Sequence, residues 1–238
     1  MSASRTARER VRAELIREIT ETARRQLATA GAAGLSLRAV ARELGMASSA
    51  IYRYVPSRDD LLTLLIIDGY NAVGEAVERA DARFAKSAAH DFAGRWLAVC
   101  RAVRDWALAH PHEYALLYGS PVPGYKAPDD TVAAAVRDTV VLARIITEAH
   151  AAGAIAPEPD GPPPPPSIAE GLDRVRAFVG MDVPDDVIAR AVTSWAGLYG
   201  TVSFEIFGQY TNLIDESARA DYFDHTMTLL GRLIGLKP

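Results

Sequence analysis

Apolar residues recur every three or four positions along most of the chain, and no stretch alternates as a half-buried strand would. Val11, Leu15, Ile19, Ala23 and Leu27 follow the helical period, Ile16 and Ala30 widen the stripe, and Arg and Glu fill the opposite face. The segment AGAAGLS, with Gly31 and Gly34, ends this helix. Ser36 is placed to cap a short helix whose apolar side is Leu37, Val40, Ala41 and Leu44, and Gly45 stands where a left-handed closing residue is wanted. A third short helix is predicted from Ala47 or Ser48 to a stop before Pro56, because the residue ahead of a proline disfavours helix. Ser57 caps a fourth helix, with Asp59 and Asp60 in its first turn, that continues to about Ala82.

Further helices are predicted over about 88–109 and 131–152, with a short one on HPHEYALLYG and a loop on SPVPGYKAPDD between them. The stretch 153–167, with five consecutive prolines at 162–166, suits neither helix nor sheet and reads as a long surface loop without a role of its own. Residues 185–210 are apolar on nearly every face: Val187, Ile188, Val192, Trp195, Leu198, Tyr199, Val202, Phe204, Ile206 and Phe207. Such a helix is buried in a core or between subunits. The last helix, about 216–234, carries Tyr222, Phe223, Met227, Leu230 and Leu233 on one side. The pattern predicts an all-α chain with a three-helix head at 1–56 and a larger helical body at 57–238. The two closing helices are the expected homodimer interface, a four-helix bundle across a two-fold axis.

The net charge of −4 argues against a nucleic-acid binder only on average. Residues 1–60 hold eleven Arg, no Lys and seven acids, a net of +4, and the remainder carries −8. A basic head on an acidic body predicts that the head alone meets an anionic partner. Cys100 is the single cysteine, which excludes an internal disulfide and a Cys-rich zinc site. The charged first residues lack the apolar run of a signal peptide, and no uninterrupted apolar stretch reaches the ~18 residues of a membrane span, so a cytoplasmic protein with no membrane partner is expected.

The segment LGMASSAIYRYVPSRDDLL holds an unusual density of polar and aromatic side chains for one short helix. With the preceding helix and the turn at Gly45 it has the helix-turn-helix pattern. Leu37, Val40, Ala41, Leu44 and Ile51 pack the two helices together. That leaves Ser48, Ser49, Tyr52 and Arg53 facing outward, ready for a major groove. Short hydroxyls reach base edges or phosphates, Arg53 can pair with guanine or phosphate, and Tyr52 and Tyr54 can donate to phosphate oxygens. Ser36, Arg38 and Arg58 sit at helix starts where backbone N–H groups also favour an anion. Arg5, Arg8, Arg10 and Arg12 either reach the DNA backbone or minor groove, or form a solvated tail pairing with Glu9 and Glu14.

LSLRAVARELGMASSAIYRYVPSRDDLL, residues 35–62, resembles the DNA-binding signature of the TetR family of bacterial transcriptional regulators, and the likeness covers about residues 10–65. Val55 stands where Phe usually packs, and Tyr54 where His is common. SWAGLYGTVSFEIFG is similar to the C-terminal Trp…His-Gly signature of such regulators, with Trp195 and Gly200 in place and Tyr199 where the His would be. RDWALAHPHEYALLYGSPVPGYKAP resembles another stretch of such domains. The resemblance implies a repressor on a pseudopalindromic operator. A small apolar or amphipathic effector in the body would shift the helix 57–82 and change the spacing of the two heads.

Trp96, Cys100, Tyr114, Tyr118 and Phe204 are candidates to line an effector pocket together, although any one of them is more often plain core. Glu205, an acid inside VSFEIFG, needs a partner, at the dimer interface or on a ligand. His110, His112 and Glu113 suggest a metal, but His-x-His at a helix start splits the rings between faces and no third ligand is near; no metal, cofactor or catalytic residue is predicted. Two other classes stay open: a DNA-binding regulator without a ligand, and an enzyme on a helical scaffold. Against the enzyme stand the lack of a nucleophile–base pair, phosphate loop, metal spacing or paired acids.

Overall fold

The computed structural model describes residues 3–157 and 162–237, with side chains from residue 7. Among these residues the chain is helical: α1 (Ala3–Ala30), α2 (Leu37–Glu43), α3 (Arg58–Ala88), α4 (Phe92–Ala109), α5 (Pro111–Tyr118), α6 (Val132–Ala135), α7 (Arg137–Ala151), α8 (Ala169–Val179), α9 (Asp185–Ile206) and α10 (Arg219–Ile234). No strand forms among them, only an isolated antiparallel bridge between Ile155 and Leu236. The all-α expectation holds, with a helix-turn-helix head and a helical remainder.

Two compact units form, Met1–Tyr70 with His110–Ala135, and Asn71–Ala109 with Val136–Pro238. They do not follow the sequence division after residue 56. Leu61, Leu62 and Leu65 of α3 are sealed in the first unit's core, and Leu116, Val122 and Tyr125 pack against it. The first turns of α3 thus contribute apolar side chains to the head core.

The head core is Ile19, Ala23 and Leu27 of α1, Leu37, Val40 and Ala41 of α2, Ile51, Val55 and the three leucines of α3. Ser36 caps α2, its Oγ accepting from the Ala39 N–H at 3.4 Å. Gly45 closes α2 at φ 66°, which lets the Met46 N–H reach the Ala41 carbonyl at 2.8 Å. Ser57 accepts from the Asp60 N–H at 3.1 Å and donates to the Asp60 carboxylate at 2.6 Å, a local fastening for the start of α3.

In the second unit α9 packs on α10, and both pack on α4. Small residues make the approach close. A Cβ at Gly197 would lie 2.8 Å from Leu230, and one at Gly231 3.1 Å from the Trp96 ring. Trp96 donates its Nε1–H to the Met227 carbonyl at 2.8 Å, and Ser194 donates to the Leu230 carbonyl at 3.0 Å.

Several boundaries differ from the sequence reading. The third helix is reduced to a turn at 48–50 and a single 3-10 turn, Ile51–Arg53, ahead of Pro56. α3 runs to Ala88 rather than Ala82. The helix expected over 131–152 is broken at Val136 into α6 and α7. α9 ends at Ile206, where Gly208 turns left-handed at φ 74°. α8 was not anticipated; its one buried residue, Leu172, gives a thin apolar stripe beside the proline run. The loop reading of 153–167 falls partly on residues 158–161, which lie outside the described residues.

Candidate nucleic-acid interface

Ile51 and Val55 anchor the short recognition turn by full burial in the head core, and its other side chains follow from that anchoring. Ser48, Ser49 and Arg53 are exposed, and Tyr52 is 42% exposed despite its large apolar ring. Arg38, in the first turn of α2, is exposed too. None of these five side chains forms an ion pair or side-chain hydrogen bond among the described residues. A set of donors without internal partners, held by a close-packed core, is what a surface must offer to bind an external polyanion.

The other three candidates are partly used inside the head. Ser36 spends its oxygen on the α2 cap and keeps its O–H to donate. Arg58 donates from Nη2 to the Ala32 carbonyl at 2.7 Å, which ties its guanidinium to the turn after α1. Tyr54 is half-buried beneath Arg12, whose guanidinium lies 5.4 Å from the ring centroid. Arg12 also donates from Nη1 to the Arg53 carbonyl at 3.2 Å. Sequence reasoning missed this contact, since nothing local links residues 41 positions apart.

Glu113, the carboxylate beside His110 and His112, is paired inside the first unit. It is buried, and its carboxylate accepts from Arg24 Nε at 3.0 Å, the same guanidinium that also meets Glu21 and Asp68. Pro111 occupies the first turn of α5 with His110 at the N-cap.

The five effector-pocket candidates fall in different places. Tyr114 and Tyr118 belong to the first unit, their ring centroids 4.9 Å apart. Trp96 and Cys100 are sealed in the second unit, where burial pushes the Cys100 thiol pKa well above its ordinary value and leaves it inert. Phe204 is 53% exposed. Glu205 pairs within the chain, accepting from Arg104 at 2.7 Å on each oxygen. Elsewhere in the second unit, a cavity of ≈ 600 Å³ is lined by alanines of α3 and α4, by Phe84 and Trp106, and by Arg79, Arg83, Arg101 and Asp105.

Tyr199, at the position of the family's His, donates to the buried carboxyl of Asp138. Burial pushes the Asp138 pKa above its ordinary value, while the hydrogen bonds from Tyr199 and Thr139 pull the other way. Its contribution to stability is therefore complete below the unfolded pKa and is lost as pH rises through the folded value. Asp138→Asn, which keeps an acceptor for Tyr199, should raise Tm at neutral pH and remove that decline. A series of thermal melts rising from about pH 3, below the unfolded carboxylate pKa, to neutral pH checks this; an unchanged pH dependence would count against it.

Comparison with known proteins agrees with the geometry. Residues 19–65 match the model described as bacterial regulatory proteins of the tetR family, and residues 96–230 match a tetracyclin repressor-like C-terminal domain. The chain belongs to the TetR family. It is 46% identical over 208 residues to the HTH-type transcriptional regulator Rv1816 of Mycobacterium tuberculosis, covering 87% of this chain and 85% of that protein. The HTH-type transcriptional regulator Mb1846 of Mycobacterium bovis matches equally. Among solved structures, the regulatory protein SCO4313 superposes with a TM-score of 0.73 at 35% identity, covering 93% of this chain and 97% of that one. A tetR-family regulatory protein from Rhodococcus RHA1, at 18% identity and TM-score 0.58, shares the fold. This TetR-family protein is thus a transcriptional regulator with a DNA-binding head, in a family of regulators rather than enzymes. Among the described residues, no helix is long and apolar enough to cross a membrane.

Proposed function

We propose that this regulator is a repressor that binds a pseudopalindromic operator as a homodimer and leaves it when a small effector binds the body. The observation that carries the operator reading is the outward set of Arg38, Ser48, Ser49, Tyr52 and Arg53, which has no ion pairs among the described residues. One recognition turn makes few base contacts, so two heads on half-sites about one DNA turn apart are needed for specificity. The exposed apolar faces of α9 and α10 supply a self-complementary surface: Val192, Trp195 and Phe204 on one, Tyr222, Leu229 and Leu233 on the other.

The effector reading is supported by the ≈ 600 Å³ cavity, within the size range of small-molecule sites. Its alanines, Phe84 and Trp106, with Arg83 and Asp105 beside them and Arg79 and Arg101 already paired to Glu75 and Asp224, suit a small apolar or amphipathic molecule. Residues 79, 80 and 83 of its lining lie on α3, the helix whose first turns carry Leu61, Leu62 and Leu65 of the head core. An effector that biases α3 between two positions would therefore act on the head.

Tyr52→Ala and Arg53→Ala should each lower operator affinity by ~1–3 kcal/mol, with Tm and oligomeric state unchanged. Both side chains are exposed, so loss of binding with loss of fold is not expected. Variants that bind a selected duplex as tightly as the parent protein would place the reading surface elsewhere.

A further inference from the structure

Two cavities of the second unit meet at one phenylalanine. The larger, of ≈ 600 Å³, is a trough between α3 and α4. Its α3 wall runs from Ala76 to Ser87, about 17 Å of helix. Ala80 on that wall, and Ala98 and Ala102 opposite, leave the space, and its length suits a chain rather than a disc. The smaller cavity, of ≈ 260 Å³, lies between α4 and α10 and is lined by Gly94, Trp96 and Leu97 of the one and Thr228 and Gly231 of the other. Gly94 and Ala98 stand one turn apart on the same face of α4, so the two cavities are neighbours along that helix. Phe84 lines the trough, and its ring tip rests on the backbone of Gly94: a Cβ built there would overlap Phe84 Cζ and the Asp91 carboxylate. Asp91 is held, accepting from the Gly94 N–H at 2.7 Å. The far wall is held too, because Trp96 is 2% exposed, donates to the Met227 carbonyl at 2.8 Å and lies against Gly231. Phe84, half-buried in the last turns of α3, is the member free to change rotamer.

We propose that Phe84 is a specificity-determining partition. Seated on Gly94, it confines a bound straight-chain apolar or amphipathic molecule to the trough; without its ring tip, the end of a longer chain passes into the second cavity. The inference rests on the trough being the effector site. Each methylene that leaves water gains affinity, so the partition sets the chain length at which that gain stops.

The test uses the full chain labelled with 5-fluorotryptophan and titrated with straight-chain 1-alkanols of about six to about fourteen carbons. The chain has three tryptophans, and each reports a different place: Trp106 lines the trough, Trp96 the second cavity, and Trp195 neither. In the parent protein the alkanols should shift the Trp106 fluorine resonance, with affinity rising about fourfold per methylene until the trough is filled and then levelling off, while Trp96 stays still. Phe84→Ala should bind the shortest chains more weakly, since the ring is lost as a contact. It should go on gaining about fourfold per methylene beyond the parent's plateau, with Trp96 shifting for those longer chains alone. Phe84→Leu keeps apolar bulk without the ring tip, so it should hold the short chains and extend the plateau in the same way, and it carries the test if the alanine variant does not fold. Variants whose plateau stays at the parent's chain length, with Trp96 still, would remove the partition and leave the effector cavity standing. A parent protein whose Trp96 moves with long chains as readily as the variants' would show an open passage and overturn the inference alone. If no alkanol shifts Trp106 in any of the three proteins, the trough takes no apolar chain, and the cavity reading falls with the inference.

Discussion

Asp81→Ala should lower the unfolding free energy of the second unit by about 3–5 kcal/mol, the cost of breaking a buried ion pair from one side. Asp81 is 2% exposed and Arg95 4%. The Asp81 carboxylate accepts from Arg95 Nε at 2.7 Å and Nη2 at 3.0 Å, and from Arg144 Nη2 at 2.7 Å. Arg95 reaches on to Glu148 at 2.5 Å and to the Ala89 carbonyl at 3.2 Å. The cluster thereby fastens α3, α4 and α7 together. Without Asp81, Arg95 stays buried with only the half-exposed Glu148 to balance it. Burial alone would raise the Asp81 pKa, but the hydrogen bonds from Arg95 and Arg144 outweigh it and hold the carboxyl below its ordinary value. Its stabilisation is therefore present above the unfolded carboxylate pKa and is lost as pH falls through the folded value. Urea unfolding at pH 7 should show the loss, and a series below about pH 4 should show a shallower acid limb in the variant. Replacing Asp81 and Arg95 together by apolar residues should recover much of the loss, because no lone charge then remains. An Asp81→Ala protein within 1 kcal/mol of the parent would mean that the cluster does not fasten these helices.

Phe204→Arg with Leu229→Arg should give a monomer whose operator affinity is lower by roughly 10²–10⁴-fold. Both residues are about half exposed, on α9 and α10 respectively. Along α9 the exposed positions 192, 196, 200 and 204 fall at spacings of four, and Ala196 and Gly200 keep the middle of the face shallow. Along α10, Tyr222, Leu229 and Leu233 share the exposed side. In the proposed dimer this apolar plate would meet its own copy around a two-fold axis, and charge placed at its centre would repel itself in the pair. The fold should survive, since neither side chain is in the core. Sedimentation and operator titration on the same samples separate the effects. A double variant that remains dimeric would mean that copies meet elsewhere.

The head was legible in the sequence because its rules are local. Ser36, Gly45 and Ser57 each fix an element end through bonds within a few residues, and all three do so in the structure. The long helices were legible from period alone, but their ends were not. The break at Val136 and the extension of α3 to Ala88 depend on packing between segments far apart in sequence. The recognition segment forms a 3-10 turn where the sequence predicts a helix, and apolar spacing places Ile51 inward in either conformation. Ion pairs were the least legible feature. Glu205 needed a partner by physical argument, yet that the partner is Arg104, 101 positions away, required the fold. The same holds for Arg12 on Tyr54 and for Asp81, whose three helices converge only in space. Phe204 was legible as apolar but not as exposed, because a helix apolar on all faces does not say which face stays open.

The account turns on a dimer that reads sequence through the head. Selection of bound duplexes from a random pool, carried out at two salt concentrations with the full chain, tests it most directly. The account predicts enrichment of an inverted repeat whose half-site centres lie about one DNA turn apart, persisting at the higher salt. Weak binding without sequence preference that vanishes as salt rises would contradict it, and would leave the head as a generic basic surface.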